Sequence, residues 1–247
     1  MRQVPGKASL LLIGDGRLAN HLHHYLKLSR LEVARWSRKG NSQSELGPLL
    51  GVCDRVLLAI SDGAIEGFVR EYRTDPAHTW VHFSGGTVVK GAWSVHPLCT
   101  FSGAPYELET YKAIPFLVER EGPSLEELIP GLENPSLSLP GSSKPLYHAL
   151  CVTAGNFTQL LWLHFFQAFE DNFGISSEFC LPFMRQTFLN LERNDAENVA
   201  TGPIARQDRE TIKKNIKALR GAKMDPLADV YESFLEFSRI KALEEVS

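Results

Sequence analysis

Short apolar runs alternate with helix-like amphipathic stretches through the first half of the chain. The apolar runs predict β-strands at residues 10–14, 31–36, 55–60, 79–83 and 114–119, with a weaker strand at 136–139. Helical patterns lie between several of them, including residues 17–28 and 63–72. Strands that alternate with helices in this way indicate a mainly parallel sheet covered by helices on both faces.

The second half of the chain has a different pattern. A turn-rich segment, residues 139–145, contains Pro140, Gly141 and Pro145, and only helical periodicity follows it. This pattern predicts helices over residues 145–169, 178–194, 209–220 and 226–245, with Asp208 as the N-cap of the third. The sequence therefore predicts an α/β fold with two domains: residues 1–141 contain the sheet, and residues 142–247 are all helical.

A glycine-rich turn follows the first predicted strand. The sequence there is Gly-x-Gly-x-x-Ala, and a helical pattern begins directly after it. Such a turn suits the pyrophosphate of a dinucleotide, because glycines allow close backbone approach and the helix N-terminus offers unpaired N–H groups. We interpret Gly14, Asp15, Gly16, Arg17 and Leu18 as a phosphate-binding turn, with an ordinary tight turn as the alternative.

The end of the second predicted strand indicates which dinucleotide would bind. NAD sites place an acidic residue about 20 positions beyond the glycines, where it binds the ribose hydroxyls. This chain has Ser37, Arg38 and Lys39 there, and a hydroxyl beside two cations suits a 2′-phosphate. The pattern favours NADP over NAD, although a solvated basic loop would look the same. Further cofactor contacts are predicted at the polar ends of the next two strands, from Ser61, Asp62 and Ser84.

Composition narrows the class of protein. The net charge of −3 gives no electrostatic reason to expect nucleic acid or an anionic membrane as a partner. No apolar run approaches the ~20 residues that span a bilayer, and the N-terminus lacks the apolar core of a signal peptide. The 4 cysteines form no C-x-x-C pair, which is typical of reduced thiols in a cytoplasmic protein.

Three residues are candidates for catalysis, because hydride transfer also needs a group that exchanges a proton with the substrate. His96 follows the fourth predicted strand in a Ser-Val-His-Pro segment, and a histidine titrates near neutral pH. His148 and Asn156 lie on the long predicted helix, where an Asn can bind a carboxamide or a substrate oxygen. Structural roles are the alternative: His96 would anchor its loop, and Asn156 would be a satisfied polar group. Lys144 is a weaker candidate, for binding a substrate carboxylate.

Histidines also occur on the first predicted helix. His21 and His24 have a spacing that a metal ion can use, but we interpret them as an exposed polar face. The inward positions predicted for this helix include Leu18 and Leu22. No metal site is predicted.

Several segments together resemble one bacterial family. They are residues 14–17, 59–65, 82–86, 94–101, 144–149, 155–157 and 201–208. In this order they resemble the DUF2520 family, whose members have a Rossmann-like domain and a helical domain of unknown function and are often labelled NADP- or F420-dependent oxidoreductases. The chain departs from that family at Asp15, where Ala is commoner, and at Gln207, where Gly is usual.

A more distant resemblance is to the superfamily of pyrroline-5-carboxylate reductase, prephenate dehydrogenase and 6-phosphogluconate dehydrogenase. It implies hydride transfer between a nicotinamide and a small acid, and a homodimer formed through the helical domain. The Lys-x-x-Asn arrangement of that superfamily is absent.

Two hypotheses follow from these observations. The first is an NADP-dependent oxidoreductase that acts on a small, anionic metabolite through His96, His148 and Asn156. The second is a non-catalytic protein that binds NADP(H) as a sensor or as part of its structure. F420 remains an alternative cofactor because of the family label.

Overall fold

The computed structural model describes residues 9–193 and 201–238 of the chain. Its first part alternates strands and helices, as predicted. The strands are β1 (Leu10–Ile13), β2 (Val33–Trp36), β3 (Arg55–Leu58), β4 (Thr79–His82), β5 (Trp93–Pro97), β6 (Phe116–Glu119) and β7 (Ser136–Leu139).

The strands form a single sheet in the order β2-β1-β3-β4-β5-β6-β7. The first five strands are parallel, whereas β6 pairs antiparallel with β5, and β7 pairs parallel with β6. The prediction of a mainly parallel sheet is therefore confirmed. The sequence pattern missed β5, because we took its residues for a segment that follows the fourth strand. His96 thus lies within a strand, near the edge where the parallel strands end.

Helices cover both faces of the sheet. They are α1 (Arg17–Leu28), α2 (Leu46–Leu50), α3 (Asp62–Tyr72), α4 (Leu108–Ala113) and α5 (Leu125–Leu128). Leu10 and Leu12 of β1 pack in the core that α1, α4 and α5 share, and Leu11 and Ile13 pack in the core with α2 and α3. A parallel strand covered on both faces requires this continuous apolar run, because its alternate side chains enter different cores.

The prediction of an exposed histidine face on α1 is wrong for His21, which is 2% exposed. Its Nδ1 lies 2.7 Å from the Tyr111 hydroxyl, and its Nε2 lies 3.0 Å from the Ser102 backbone oxygen. The rings of Phe101 and Tyr106 pack against it. A distant aromatic segment covers this helix face, so the local pattern gave no sign of it. No three His, Cys, Asp or Glu side chains group as metal ligands within residues 9–193 and 201–238.

The chain after β7 forms helices in the part that the structure describes. They are α6 (Lys144–Cys151), α7 (Thr158–Phe173), α8 (Ser177–Arg193), α9 (Gly202–Ala205), α10 (Arg209–Gly221) and α11 (Asp225–Phe237). A π-helical segment, Val152–Phe157, joins α6 to α7. Asp208 caps α10 as predicted, since its carboxylate accepts a 3.0 Å hydrogen bond from the Thr211 backbone. The predicted end of the last helix, residues 239–245, lies outside the described residues.

The chain divides into two compact units between Leu161 and Trp162. The sheet gives way to helices near residues 141 and 142, where the domain boundary was predicted, but α6 and the π-helical segment still belong to the first unit. The second unit has a small core of Ile212, Ile216 and Leu235. None of the described helices has the length and apolar character needed to cross a membrane.

Candidate active site

A cavity of about 440 Å³ opens at the edge where β1, β2 and β3 end. It is lined by residues 13–18, 36–39 and 59–61, with Ala64 and Phe68. The lining includes every predicted cofactor residue except Asp62 and Ser84. Those two lie outside the lining and bind each other, since the Ser84 hydroxyl donates a 2.7 Å hydrogen bond to the Asp62 carboxylate.

The glycine turn has the backbone geometry that the sequence predicted. Gly14 has φ of +139°, and a Cβ there would collide with the Ala59 carbonyl oxygen, so a side chain is excluded. A Cβ on Gly16 would meet nothing within 4 Å. Helix α1 begins at the next residue, and Gly16 provides no side-chain cap. The first N–H groups of α1 therefore remain available to an anion.

Arg35 stabilises this turn from β2. Its Nε donates a 2.9 Å hydrogen bond to the Gly14 carbonyl oxygen, and its Nη2 donates a 2.7 Å hydrogen bond to Asn20. The sequence analysis missed this role, because an arginine within a strand gives no sign of which backbone carbonyl it will reach. The Asp15 side chain is exposed at the rim of the cavity.

The loop after β2 is a tight turn that buries its serine and exposes its two basic residues. Ser37 is buried, and its hydroxyl accepts a 3.1 Å hydrogen bond from the Gly40 backbone. Its own N–H donates to the Asn41 side chain at 3.1 Å. Arg38 and Lys39 are exposed and line the cavity. The turn thus presents both cations beside the glycine turn.

A second polar cluster lies further along the same sheet edge, around β4, β5 and α6. Lys144 begins α6 and is 3% exposed. Its ammonium donates a 3.1 Å hydrogen bond to the Ser84 carbonyl oxygen and also binds the Ser94 hydroxyl. The Ser94 N–H donates to the Glu119 carboxylate at 2.8 Å. Lys144 is therefore engaged by the protein itself, contrary to the expectation that it is free to bind a substrate carboxylate.

Two predicted catalytic histidines come together in this cluster. The His96 and His148 ring centroids are 6.1 Å apart, and the ring planes are almost perpendicular at 89°. His96 Nδ1 is 2.7 Å from the Tyr147 hydroxyl. A Cβ on Gly85 would lie 2.9 Å from His96 Nε2 and 2.7 Å from His148 Cδ2, so the two rings need glycine at this position.

The third predicted catalytic residue, Asn156, lies in the π-helical segment with its side chain exposed. Among the described residues it makes no hydrogen bond to either histidine. An unbroken α-helix would place His148 and Gly155 on one face, but a π-helical turn shifts that periodicity. A Cβ on Gly155 would instead approach Thr100 Cγ2 at 3.5 Å.

Comparison with known families gives a match over the second half of the chain. The sequence profile of DUF2520, a domain of unknown function, matches residues 114–236. The chain carries a DUF2520 domain. The predicted family is thereby confirmed. Lys144, Tyr147 and His148 lie inside the matched DUF2520 residues, whereas the glycine turn and His96 precede them.

Several solved structures share the fold over nearly the whole chain. A candidate NADP oxidoreductase from Bacteroides fragilis is 20% identical and covers 94% of this chain and 97% of its own, with a TM-score of 0.74. A reductive aminase from Aspergillus terreus in complex with NADPH and ethyl levulinate is 14% identical, with 94% of each chain covered and a TM-score of 0.58.

A pyrroline carboxylate reductase from Plasmodium falciparum with NADP bound is 12% identical and covers 94% of this chain and 98% of its own, with a TM-score of 0.56. These likenesses show that the DUF2520 protein has the fold of these reductases, a Rossmann-like sheet followed by helices. No curated protein sequence matches the chain.

The charge state of His96 differs from the sequence-based expectation. Burial, with smaller effects from the Lys144 ammonium and His148, lowers the pKa of His96 to about 4. The ring is therefore neutral at pH 7, and the expectation that it titrates near neutral pH is wrong. Burial likewise lowers the pKa of Lys144 and raises that of Glu119, because each loses water around its charge.

Tyr147, the hydrogen-bond partner of His96, is a residue of this site that the sequence analysis missed. A signal was present, because Lys144, Tyr147 and His148 have the i, i+3, i+4 spacing that places side chains on one face of an α-helix. The shared face of α6 brings all three to the sheet edge.

Proposed function

We propose that this DUF2520 protein is an NADP-dependent oxidoreductase that transfers a hydride between the nicotinamide and a small metabolite. The observation that carries the proposal is the cavity beside β1 and β2. It joins a glycine turn at a helix N-terminus to the Ser37-Arg38-Lys39 turn on the neighbouring strand. A dinucleotide with a 2′-phosphate needs both features, side by side.

The residues in the cavity fit NADP better than NAD. The Gly16 backbone and the first N–H groups of α1 would bind the pyrophosphate, and Arg38 with Lys39 would bind the 2′-phosphate. A carboxylate that could bind the ribose hydroxyls of NAD is absent from residues 37–39. The bound NADPH and NADP of the fold relatives from Aspergillus terreus and Plasmodium falciparum support this choice.

We propose that His96 contacts the reacting group of the substrate, with His148 beside it and Asn156 as a further substrate contact. NADPH, when bound, would supply the hydride. The fold relatives include a pyrroline carboxylate reductase and a reductive aminase. They favour small carbonyl or imine compounds as substrates, and we propose those that carry a carboxylate as the first class to test. The cation that would bind such a carboxylate must be one other than Lys144, which is already engaged.

The cofactor proposal is tested by calorimetric titration of NADPH, NADH and F420 into the full-length protein. We expect NADPH to bind most tightly. Arg38→Gln should weaken NADPH binding about 10- to 100-fold, the effect of losing one charge-assisted contact, and should leave NADH binding unchanged. Arg120→Gln, at an exposed arginine that does not line the cavity, is the matched control. Tighter binding of NADH, or no binding of either nicotinamide, would refute the proposal.

The second candidate is a non-catalytic NADP(H)-binding protein. The low pKa of His96 and the engaged ammonium of Lys144 favour it, because neither group is poised to exchange a proton near pH 7. Keto acids, imino acids and hydroxy acids are screened by nicotinamide absorbance, with His96→Gln as the inactive reference. Turnover that this substitution abolishes supports catalysis, and tight NADPH binding without turnover of any class supports the second candidate.

We also propose that the protein is a homodimer formed through its helical second unit. Helix α8 exposes large apolar side chains: Phe179 is 79% exposed, Phe183 60% and Leu191 56%. Apolar side chains in this number on one helix are typical of an interface. Light scattering after size exclusion should give twice the chain mass, and Phe179→Glu with Phe183→Glu should give a monomer. A wild-type monomer at micromolar concentration would contradict the proposal.

A further inference from the structure

The tautomer of His96 depends on the hydroxyl of Tyr147. In the part of the chain that the structure describes, this hydroxyl is the hydrogen-bond partner of the ring, 2.7 Å from Nδ1. Burial and the nearby Lys144 keep the ring neutral at pH 7 by lowering its pKa to about 4. A neutral imidazole carries one ring proton, and the hydrogen bond at one nitrogen decides which nitrogen holds it.

The surroundings of Tyr147 decide the direction of that hydrogen bond. The phenol has one proton to donate and two neighbours, His96 Nδ1 and the Cys151 side chain one helical turn further on. Burial raises the pKa of Tyr147, so the phenol keeps its proton. An imidazole nitrogen is a far better acceptor than sulfur, which is a weak donor and a weak acceptor. Tyr147 therefore donates to His96 Nδ1, and the His96 ring proton is on Nε2.

His96 Nε2 has no hydrogen-bond partner within the described residues. Solvent still reaches it, because the side chain is partly exposed and the buried polar atoms without a partner in those residues are Arg55 Nε, Trp80 Nε1 and His82 Nε2. Gly85 packs closely against this atom, since a Cβ there would lie only 2.9 Å from Nε2. The His148 ring stands almost perpendicular to the His96 ring. An N–H group at Nε2 is thus unpaired within the protein and accessible beside the Gly85 backbone.

We propose that Tyr147 is a positioning residue: it fixes His96 as the Nε2–H tautomer, so that the site offers its substrate a neutral hydrogen-bond donor. This inference rests on the proposed function and narrows the substrate class. An N–H donor binds an atom with a free lone pair, such as the oxygen of a carbonyl or the nitrogen of a neutral imine. It disfavours an iminium nitrogen, which is itself a donor.

Nitrogen NMR of the full-length protein tests the inference without a substrate. Long-range ¹H–¹⁵N spectra of the ¹⁵N-labelled protein at pH 7 distinguish the two tautomers, and His96→Gln identifies the His96 signals. We expect the proton on Nε2 in the wild-type protein. Tyr147→Phe should lower the ratio of the Nε2–H to the Nδ1–H tautomer about fivefold, the effect of one hydrogen bond.

The matched control is Tyr111→Phe, which removes the hydroxyl from the other histidine–tyrosine pair and should leave the His96 signals unchanged. A wild-type His96 with its proton on Nδ1, or an unchanged tautomer ratio in Tyr147→Phe, would overturn the inference. The wild-type spectrum alone decides the first point, even if the Tyr147→Phe protein does not fold. These spectra do not depend on turnover, so a failed substrate screen would overturn the proposed function and leave the tautomer assignment supported.

Discussion

Two histidine–tyrosine pairs in the first unit have the same contact and different surroundings. In each pair the tyrosine hydroxyl lies 2.7 Å from the histidine Nδ1. His21 also uses its Nε2, which is bonded to the Ser102 backbone, and aromatic rings enclose it. His96 Nε2 instead faces Gly85. The pair with both nitrogens bonded can only stabilise the fold, whereas the pair with one nitrogen unbonded can bind a ligand.

The largest expected effect is on catalytic activity, which should depend on His96 and not on His21. His96→Gln should lower kcat by about 10²- to 10³-fold, the usual effect of removing one positioned hydrogen-bond donor from the reacting oxygen. The side chain is only partly buried, so the melting temperature should change little. NADPH oxidation with the best substrate from the screen measures the first quantity, and thermal unfolding measures the second.

His21→Gln is the comparison for that experiment, and it should leave kcat per folded molecule unchanged. If both substitutions reduce kcat equally, the distinction between a structural and a functional pair is wrong. Full activity in His96→Gln would move the catalytic role to another residue.

The second prediction concerns stability, to which the His21–Tyr111 pair should contribute more than the His96–Tyr147 pair. His21→Leu should lower the free energy of unfolding by about 2–4 kcal/mol, because the buried Tyr111 hydroxyl and the Ser102 carbonyl each lose a partner. His23→Leu on the same helix, at a partly exposed position, is the control and should cost less than 1 kcal/mol. Urea unfolding measures both values. Equal losses would show that the enclosed pair contributes no special stability.

The sequence predicted the sheet and the glycine turn better than it predicted the surroundings of the two histidine–tyrosine pairs. The strand pattern and the glycine turn depend on neighbouring residues, so periodicity predicted six of the seven strands, and most of the predicted cofactor residues line one cavity. Strand β5 was not predicted because it contains the polar residues Ser94 and His96, ends in proline and pairs with β6, a strand from further along the chain.

Burial by distant segments explains the other errors. His21 is polar, and the rings that enclose it, Phe101 and Tyr106, come from a segment far along the chain. Lys144 is a cation, and its burial depends on Ser84 and Ser94 from two separate strand ends. The low pKa of His96 follows mainly from its burial, with the Lys144 ammonium as a smaller cause. Local pattern identifies which residues are chemically able to act, whereas charge state and partners depend on contacts between segments distant in sequence.

The third prediction concerns a methyl group added beside the His96 ring. Gly85→Ala would place a Cβ 2.7 Å from His148 Cδ2 and 2.9 Å from His96 Nε2, so the two rings must move apart. We expect a loss of about 1–3 kcal/mol in the free energy of unfolding, as for other overpacked sites, and a fall in kcat. Gly63→Ala, where a Cβ would meet nothing within 4 Å, is the control. A Gly85→Ala protein as stable and active as the wild type would show that the close packing of Gly85 against the two rings is not needed by the site.

The smallest expected effect is the pH dependence of stability that arises because the His96 and His82 rings stay neutral in the folded protein. The pKa of His96 is about 4 in the folded protein against an ordinary value of 6.5, and that of buried His82 is also about 4. Both rings are neutral in either state above pH 6.5. Between pH 6.5 and about 4 only the unfolded chain binds the protons, so the free energy of unfolding should fall as the pH falls. The slope is at most about 1.4 kcal/mol per pH unit for each ring, and less for His96 because water partly screens it.

Urea unfolding at pH 7 and pH 5 should show a smaller difference in His96→Gln than in the wild type. An identical difference in both proteins would mean that His96 is not kept neutral by its surroundings, and the contrast with the enclosed pair would then rest on geometry alone.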